Sequence, residues 1–110
     1  MFYHEWRDSH SPYRTGPSLW FNADGTISSG GKALRNWPAD IWIDVTITCP
    51  LGRTANGAWR LTISVPGEAP AYFEGLSCNP QFRALDWFGF VSNADHAVAV
   101  YVDDIKLETT

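Results

Sequence analysis

Two stretches of this chain alternate apolar and polar residues with a period of two, and no window shows a convincing helical period. In Ile41-Trp42-Ile43-Asp44-Val45-Thr46-Ile47-Thr48-Cys49, the positions Ile43, Val45, Ile47 and Cys49 are apolar and Asp44, Thr46 and Thr48 face the other way. Trp59, Leu61, Ile63 and Val65 repeat the pattern against Arg60, Thr62 and Ser64. Successive side chains of a strand point to opposite faces, so this period with β-branched residues marks antiparallel strands buried on one face. Gly52 to Gly57 is a polar loop of hairpin length. Pro66-Gly67-Glu68-Ala69-Pro70 then turns the chain into a short strand at Ala71 to Glu74. The three strands are expected to pair in sequence order.

The remaining segments extend the same picture. Ser18-Leu19-Trp20-Phe21 reads as a strand, Asn22-Ala23-Asp24-Gly25 as a tight turn into Thr26-Ile27-Ser28, and Gly30-Gly31 as a further break. Pro12, Gly16 and Pro17 set off Arg7 to Gly16 as a loop. The stretch Phe82 to Ser92 and the stretch Ala97 to Leu107 read as two apolar strands joined by the turn Asn93-Ala94-Asp95-His96. Seven or so short strands with turn signals about every ten residues predict an all-β antiparallel sandwich.

At 110 residues the chain fits one domain, 1–110. A net charge of −4, from 12 acidic and 8 basic residues with no basic run, argues against a nucleic-acid-binding surface. No apolar run approaches the ~20 residues that span a bilayer. Met1-Phe2-Tyr3-His4-Glu5-Trp6 lacks the pattern of a signal peptide and begins as if inside a strand, so a fragment of a longer chain is expected. Cys49 and Cys78, the only cysteines, each follow a predicted strand at the same end of the meander. A disulfide would close a long loop, yet with one strand between them two inter-strand spacings are ~9.6 Å, too far unless the chain ends bend inward. A disulfide and a pair of buried thiols both stay open.

These residues carry a resemblance. Trp6-Arg7-Asp8, Pro12-Tyr13-Arg14, Gly16-Pro17-Ser18-Leu19-Trp20, the Asp24-Gly25 turn, Gly31-Lys32, Leu85-Asp86-Trp87-Phe88-Gly89-Phe90-Val91-Ser92 and Tyr101-Val102-Asp103-Asp104-Ile105 together resemble the C-terminal part of a concanavalin A-like (laminin G-like) jelly-roll module. The resemblance covers nearly all of the chain. It implies a jelly-roll sandwich of the lectin and glucanase type, incomplete at its N-terminus, in a bacterial extracellular or cell-surface protein. A full module of this type has further strands before the point where this chain begins. The N-terminal sheet edge would then be open to strand addition, and a homodimer through it is one expectation.

Aromatic residues point to a ligand. Six Trp, six Phe and four Tyr exceed what two thin sheets need. Sugars present apolar C–H faces and hydroxyl groups, so a site needs an aromatic platform flanked by charged or amide groups. Trp6, Arg7, Asp8, His10, Tyr13 and Arg14 supply these within nine residues, and Trp37, Trp42 and Trp87 add aromatic surface, although Trp87 is expected in the core. The competing explanation is that the tryptophans cover a sheet face and that Arg7–Asp8 is a structural pair.

Catalysis finds less support. Glycoside hydrolysis needs two carboxyl groups roughly 5–9 Å apart. Asp44 stands alone, Glu68 lies in a turn, and the adjacent Asp103 and Asp104 point to opposite faces; Glu5 and Asp8 can approach, with no diagnostic spacing. Ser64 and Ser92 lack a nucleophile context. His4, Asp8 and His10 have metal-ligand chemistry, and Asp103 and Asp104 with Asp86 or Asp95 have calcium chemistry. Turn capping and pairing with Arg60 or Arg83 explain those acids better, so no cofactor is expected. The expected function is a non-catalytic carbohydrate-binding or accessory module whose partner is a polysaccharide or glycan. A structural or protein-interaction module is the alternative, and a fragment of a glycoside hydrolase or lyase stands third.

Overall fold

The structure, a computed structural model, describes residues 2–94 and 100–108. Among these, eight strands form: β1 (Phe2–Arg7), β2 (Thr15–Phe21), β3 (Thr26–Ser29), β4 (Lys32–Asn36), β5 (Asp44–Thr48), β6 (Ala58–Ser64), β7 (Ala71–Ser77) and β8 (Trp87–Ser92). They build a five-stranded sheet in the order β4-β3-β2-β1-β8 and a three-stranded sheet in the order β5-β6-β7. All pairings are antiparallel. No helix of the described residues is long and apolar enough to cross a membrane.

The three-stranded sheet is the meander that the alternation predicts. β5 and β6 pair without interruption from Asp44↔Ser64 to Thr48↔Arg60. β7 returns along β6 with a bulge: Trp59 pairs with Leu76 and Leu61 with Phe73, leaving Glu74 and Gly75 opposite Arg60. Gly75 takes φ +67 there, a backbone conformation that glycine adopts without strain. β5 is shorter than expected. Asp40 turns at φ 60, and Ile41 and Trp42 are exposed ahead of the first ladder residue.

The two sheets meet through one core. Phe2, Leu19, Phe21 and Ile27 come from the larger sheet, and Trp59, Leu61, Ile63 and Leu76 from the smaller. Phe2 and its cross-strand partner Phe21 stack with centroids 4.4 Å apart. Trp37 closes over both edge-on, at 6.1 and 5.7 Å, so it belongs to the core and not to a ligand surface. Burying a side chain of this size is worth about 1.5–3 kcal/mol. An exposed ion pair such as Lys106–Glu108 contributes at most about 1 kcal/mol. Apolar packing therefore decides the architecture.

Several expectations change. The expected loop from Arg7 to Gly16 is shorter at both ends, since Arg7 closes β1 and Thr15 and Gly16 open β2; between Glu5↔Ser18 and Arg7↔Thr15 the second strand carries one extra residue, and a bulge is where a strand tolerates Pro17. The residues do not announce β4, since Lys32-Ala33-Leu34-Arg35-Asn36 has too little apolar alternation to mark a strand. The N-terminal strand is not an edge, because β1 pairs with β2 on one side and β8 on the other. The basis for a dimer through that edge is therefore absent. The sheets end instead at β4, β8, β5 and β7.

The predicted closing strand is also corrected where it is described. Residues 100–108 form no strand, and Val100, Tyr101, Val102, Ile105 and Leu107 are exposed. Asp104 takes φ 54 and donates its N–H to the Asp103 carboxylate. That local turn removes the extended backbone a ladder needs. Asp95, His96 and residues 97–99, which complete the predicted turn and begin that strand, lie outside the described residues.

Two glycines are fixed by aromatic rings. A Cβ on Gly16 would lie 2.6 Å from the ring of the buried Phe82, and one on Gly89 would lie 2.6 Å from the ring of Trp87. Both distances are inside van der Waals contact. Gly16→Ala is expected to lower unfolding free energy by about 1–3 kcal/mol, as overpacking does. Gly89→Ala should cost less, because Trp87 is half-exposed and can swing away. Urea unfolding of the two variants measures the difference.

Candidate functional site

β1 distributes the predicted binding residues between two faces. Its regular pairing with β8 runs from Phe2↔Ser92 to Arg7↔Trp87, so Phe2, His4 and Trp6 share the core-facing side and Tyr3, Glu5 and Arg7 the outer side. Trp6 therefore does not join Arg7. Its indole N–H donates to His4 Nε2 at 3.0 Å, with Phe88 as its cross-strand neighbour. Trp42, 62 % exposed before β5, lies outside the depression described below.

On the outer face Arg7 organises an aromatic group. Its guanidinium carbon lies 4.4 Å from the ring centroids of both Tyr13 and Trp87. Its Nε donates to Glu5 Oε2 at 2.6 Å, and Glu5 Oε1 accepts from the Ser18 hydroxyl at 3.3 Å. Trp87 is 42 % exposed and rests over Gly89, so its expected place in the core is corrected. The reason is the pleat: Trp87 pairs with outward-facing Arg7, and Gly89 leaves a flat bed for the indole. Tyr13 is 52 % exposed. Each cation–π contact is worth about 0.5–1 kcal/mol at an exposed site, enough to fix the Tyr13 ring without burying it.

The loop carrying Tyr13 is built on Asp8. This buried carboxylate accepts the backbone N–H groups of His10 (3.1 Å) and Arg14 (2.7 Å) on one oxygen. The Asp8 N–H in turn donates to the Arg14 carbonyl at 3.2 Å, closing the loop on itself. The segment before β8 docks alongside, with Ser9 N–H donating to Asp86 Oδ2 at 2.7 Å and Asp86 N–H to the Arg7 carbonyl at 3.0 Å. Between them opens a depression of about 250 Å³, walled by Asp8, Ser9, His10 and Arg14 on one side and Gln81, Arg83 and Asp86 on the other. Arg14 donates to the Gln81 carbonyl and Arg83 to the Gly52 carbonyl, which aims both guanidinium groups.

Arg7, Asp8, His10, Tyr13 and Arg14 are thus brought together, while Trp6 and Trp42 are not. Glu5 and Asp8 do not face each other as a catalytic pair would: one holds Arg7 and Ser18, the other holds the loop backbone. Among the described residues no group of three His, Cys, Asp or Glu side chains is arranged to hold a metal ion. The residues alone do not mark Gln81, and they offer Asp86 only as a calcium ligand and Arg83 only as a partner for an acid, because only the return of the chain onto β1 brings the three beside the loop.

A second depression of about 250 Å³ lies on the outer face of the three-stranded sheet. Thr48, Arg60, Thr62, Tyr72 and Glu74 line it. Tyr72 is 72 % exposed there. The alternation foretold that this face is polar. It carried no sign of the bulge at Gly75 that shapes it.

His4 is held as the neutral imidazole. Nδ1–H donates to the Gly89 carbonyl at 3.0 Å, and Nε2 accepts from Trp6. Burial pushes its pKa below the usual histidine value, against weaker pulls from Gly89 and Glu5. The folded protein thus binds the His4 proton less readily than the unfolded chain. The associated stability is present above about pH 6.5 and is lost as pH falls through the lowered pKa. Urea unfolding between about pH 7.5 and about pH 5.5 should show wild type losing more stability than His4→Phe.

Asp8→Ala leaves the His10 and Arg14 amides without their acceptor. It should cost about 1–3 kcal/mol and quicken hydrogen exchange at those two amides, read by NMR. Compared with protein-family models, curated proteins and solved structures, the chain matches none.

Proposed function

We propose that this chain is a non-catalytic, carbohydrate-binding accessory module of an extracellular protein, built on a concanavalin A-like jelly-roll body. The observation that carries the proposal is Tyr13, half-exposed and held by Arg7 beside Trp87, on a loop that also walls a polar depression. The Tyr13 ring offers a surface for the C–H face of a sugar. His10, Arg14, Gln81, Arg83 and Asp86 offer donors and acceptors for its hydroxyl groups. Glu5, Asp8 and Arg7 serve as the frame that keeps the platform in place. The engagement of Glu5 with Arg7 and Ser18, and of Asp8 with the loop backbone, supports a module that binds over one that cleaves.

Exposed apolar side chains between Val100 and Leu107 support a second reading, in which the chain is an interaction module that packs on a second copy of itself.

Affinity electrophoresis through gels containing a β-glucan, a xylan, a mannan or a pectin tests the first proposal. At least one polysaccharide should retard the protein. Tyr13→Ala should weaken retardation about tenfold, the equivalent of ~1.4 kcal/mol, and Arg7→Ala by a similar factor because the ring loses its support. Tyr72→Ala should leave binding at this site unchanged. Retardation by none of the four, or retardation indifferent to Tyr13 and Arg7, would sink the proposal. Light scattering tests the interaction reading, which expects self-association that Tyr101→Ser with Ile105→Ser abolishes.

A further inference from the structure

The loop between β5 and β6 ends in Asn56-Gly57, the one place in the chain where glycine follows asparagine. An asparagine loses its side-chain amide when the backbone nitrogen of the next residue attacks Cγ. Glycine favours that attack because it sets no side chain in the path. The reaction needs an accessible amide, a next nitrogen not engaged as a hydrogen-bond donor, and a side chain folded back over the next peptide. Asn56 meets all three conditions. It is exposed, and neither its Nδ2 nor the Gly57 N–H has a hydrogen-bond partner among the described residues. Ala58 N–H donates to Asn56 Oδ1 at 3.1 Å, and the ring which that bond closes contains both Cγ and the Gly57 nitrogen. The same donor is aimed at the oxygen on which negative charge develops during attack, the arrangement that stabilises an oxyanion.

Elsewhere the fold withholds these conditions. Asn22 donates through Nδ2 to the Thr26 carbonyl and to the Thr26 and Ser28 hydroxyls. After Asn36, Trp37 N–H donates to the Gly25 carbonyl, and after Asn93, Ala94 N–H donates to the Ser92 hydroxyl. Asn79 precedes Pro80, whose nitrogen carries no hydrogen. The chain's one Asp-Gly pair, Asp24-Gly25, is held as well: Gly25 N–H donates to the Asn22 carbonyl at 3.1 Å, and Asp24 Oδ1 accepts from the N–H and hydroxyl of Thr26. Those bonds keep the Asp24 carboxyl below its usual range, away from the neutral acid that ring closure requires.

We propose that Asn56 is a site of spontaneous deamidation in the folded protein, with water as co-reactant, and that the isoaspartate formed there loosens the join between β6 and β7. This goes beyond the carbohydrate-binding proposal and stands without it. The Gly57 nitrogen bonds to Asn56 Cγ, the Cγ–Nδ2 bond breaks, and ammonia leaves with the Gly57 amide proton. Water then opens the cyclic imide, giving its OH to a carbonyl carbon and its hydrogen to the nitrogen; nothing is oxidised or reduced. Breaking the new bond to Cγ yields aspartate. Breaking the bond to the backbone carbonyl carbon yields isoaspartate, whose main chain is one carbon longer. That extra length meets a tight place, since the Gly57 carbonyl accepts Cys78 N–H at 2.9 Å and even a Cβ on Gly57 would stand 3.2 Å from Pro80.

The test is incubation of the folded protein in warm, mildly alkaline buffer, followed by peptide mapping, with the same incubation in concentrated urea as the reference. The Asn56 peptide should convert to aspartate and isoaspartate products at a rate within a few-fold of that in the unfolded chain. Isomerisation at Asp24 should be at least about tenfold slower folded than unfolded, because the turn must first open. Asn56→Ser, which keeps an oxygen acceptor for Ala58 N–H, should yield neither Asn56 product. Hydrogen exchange at the Cys78 amide should quicken several-fold in the isolated isoaspartate form and stay unchanged in Asn56→Asp. Equal protection of Asn56 and Asp24 by folding, earlier conversion of another asparagine, or an isoaspartate form with unchanged Cys78 exchange would each overturn the proposal.

Discussion

β1 is hydrogen-bonded along both edges, and its pleat serves two tasks at once. From Phe2 to Arg7 it pairs with β2 on one side and β8 on the other. Phe2 enters the core against Phe21 and Trp37, while Arg7, five residues on and therefore on the opposite face, holds Tyr13 and Trp87. A slip of one residue in this register would exchange those roles and turn Arg7 toward the core. The outer aromatic group is therefore as well fixed as the core, although much of it stays in water.

Around this strand, small residues let large ones lie flat. Gly16 receives the Phe82 ring and Gly89 the Trp87 ring. These contacts bring the segment between β7 and β8 against the loop after β1, and hydrogen bonds from Ser9 and Asp86 hold it there. The depression is thus a junction of segments far apart in the chain. Its guanidinium groups are oriented by bonds to backbone carbonyls and its carboxylates by backbone N–H groups, so a ligand would meet charged groups already in position.

The small sheet shows the complementary case, in which strand order is simple and the ends matter. β5, β6 and β7 follow one another without crossing, and Cys49 and Cys78 follow the two outer strands at the same end of the sheet, each donating its S–H to the carbonyl of the next residue. The His4–Trp6 contact gives the other face of β1 a proton-dependent hydrogen bond at the margin of the core. Neither feature belongs to the candidate binding surface, and each rests on side chains that the pleat places independently of it.

The all-β class, the meander and its inner face were legible in the residues, because a period of two with β-branched side chains is a local property of the chain. The turns at Asn22 to Gly25 and Gly30-Gly31 were legible for the same reason. A loop after the first strand was legible too, though not the parting of Trp6 from Arg7. What tertiary structure alone decided depends on distant partners. Whether β1 is an edge depends on β8; whether residues 100–107 extend a sheet depends on a ladder partner; whether Trp87 is covered depends on what lies above Gly89. Local alternation says which way a side chain points, but only the assembled neighbours determine what it meets there.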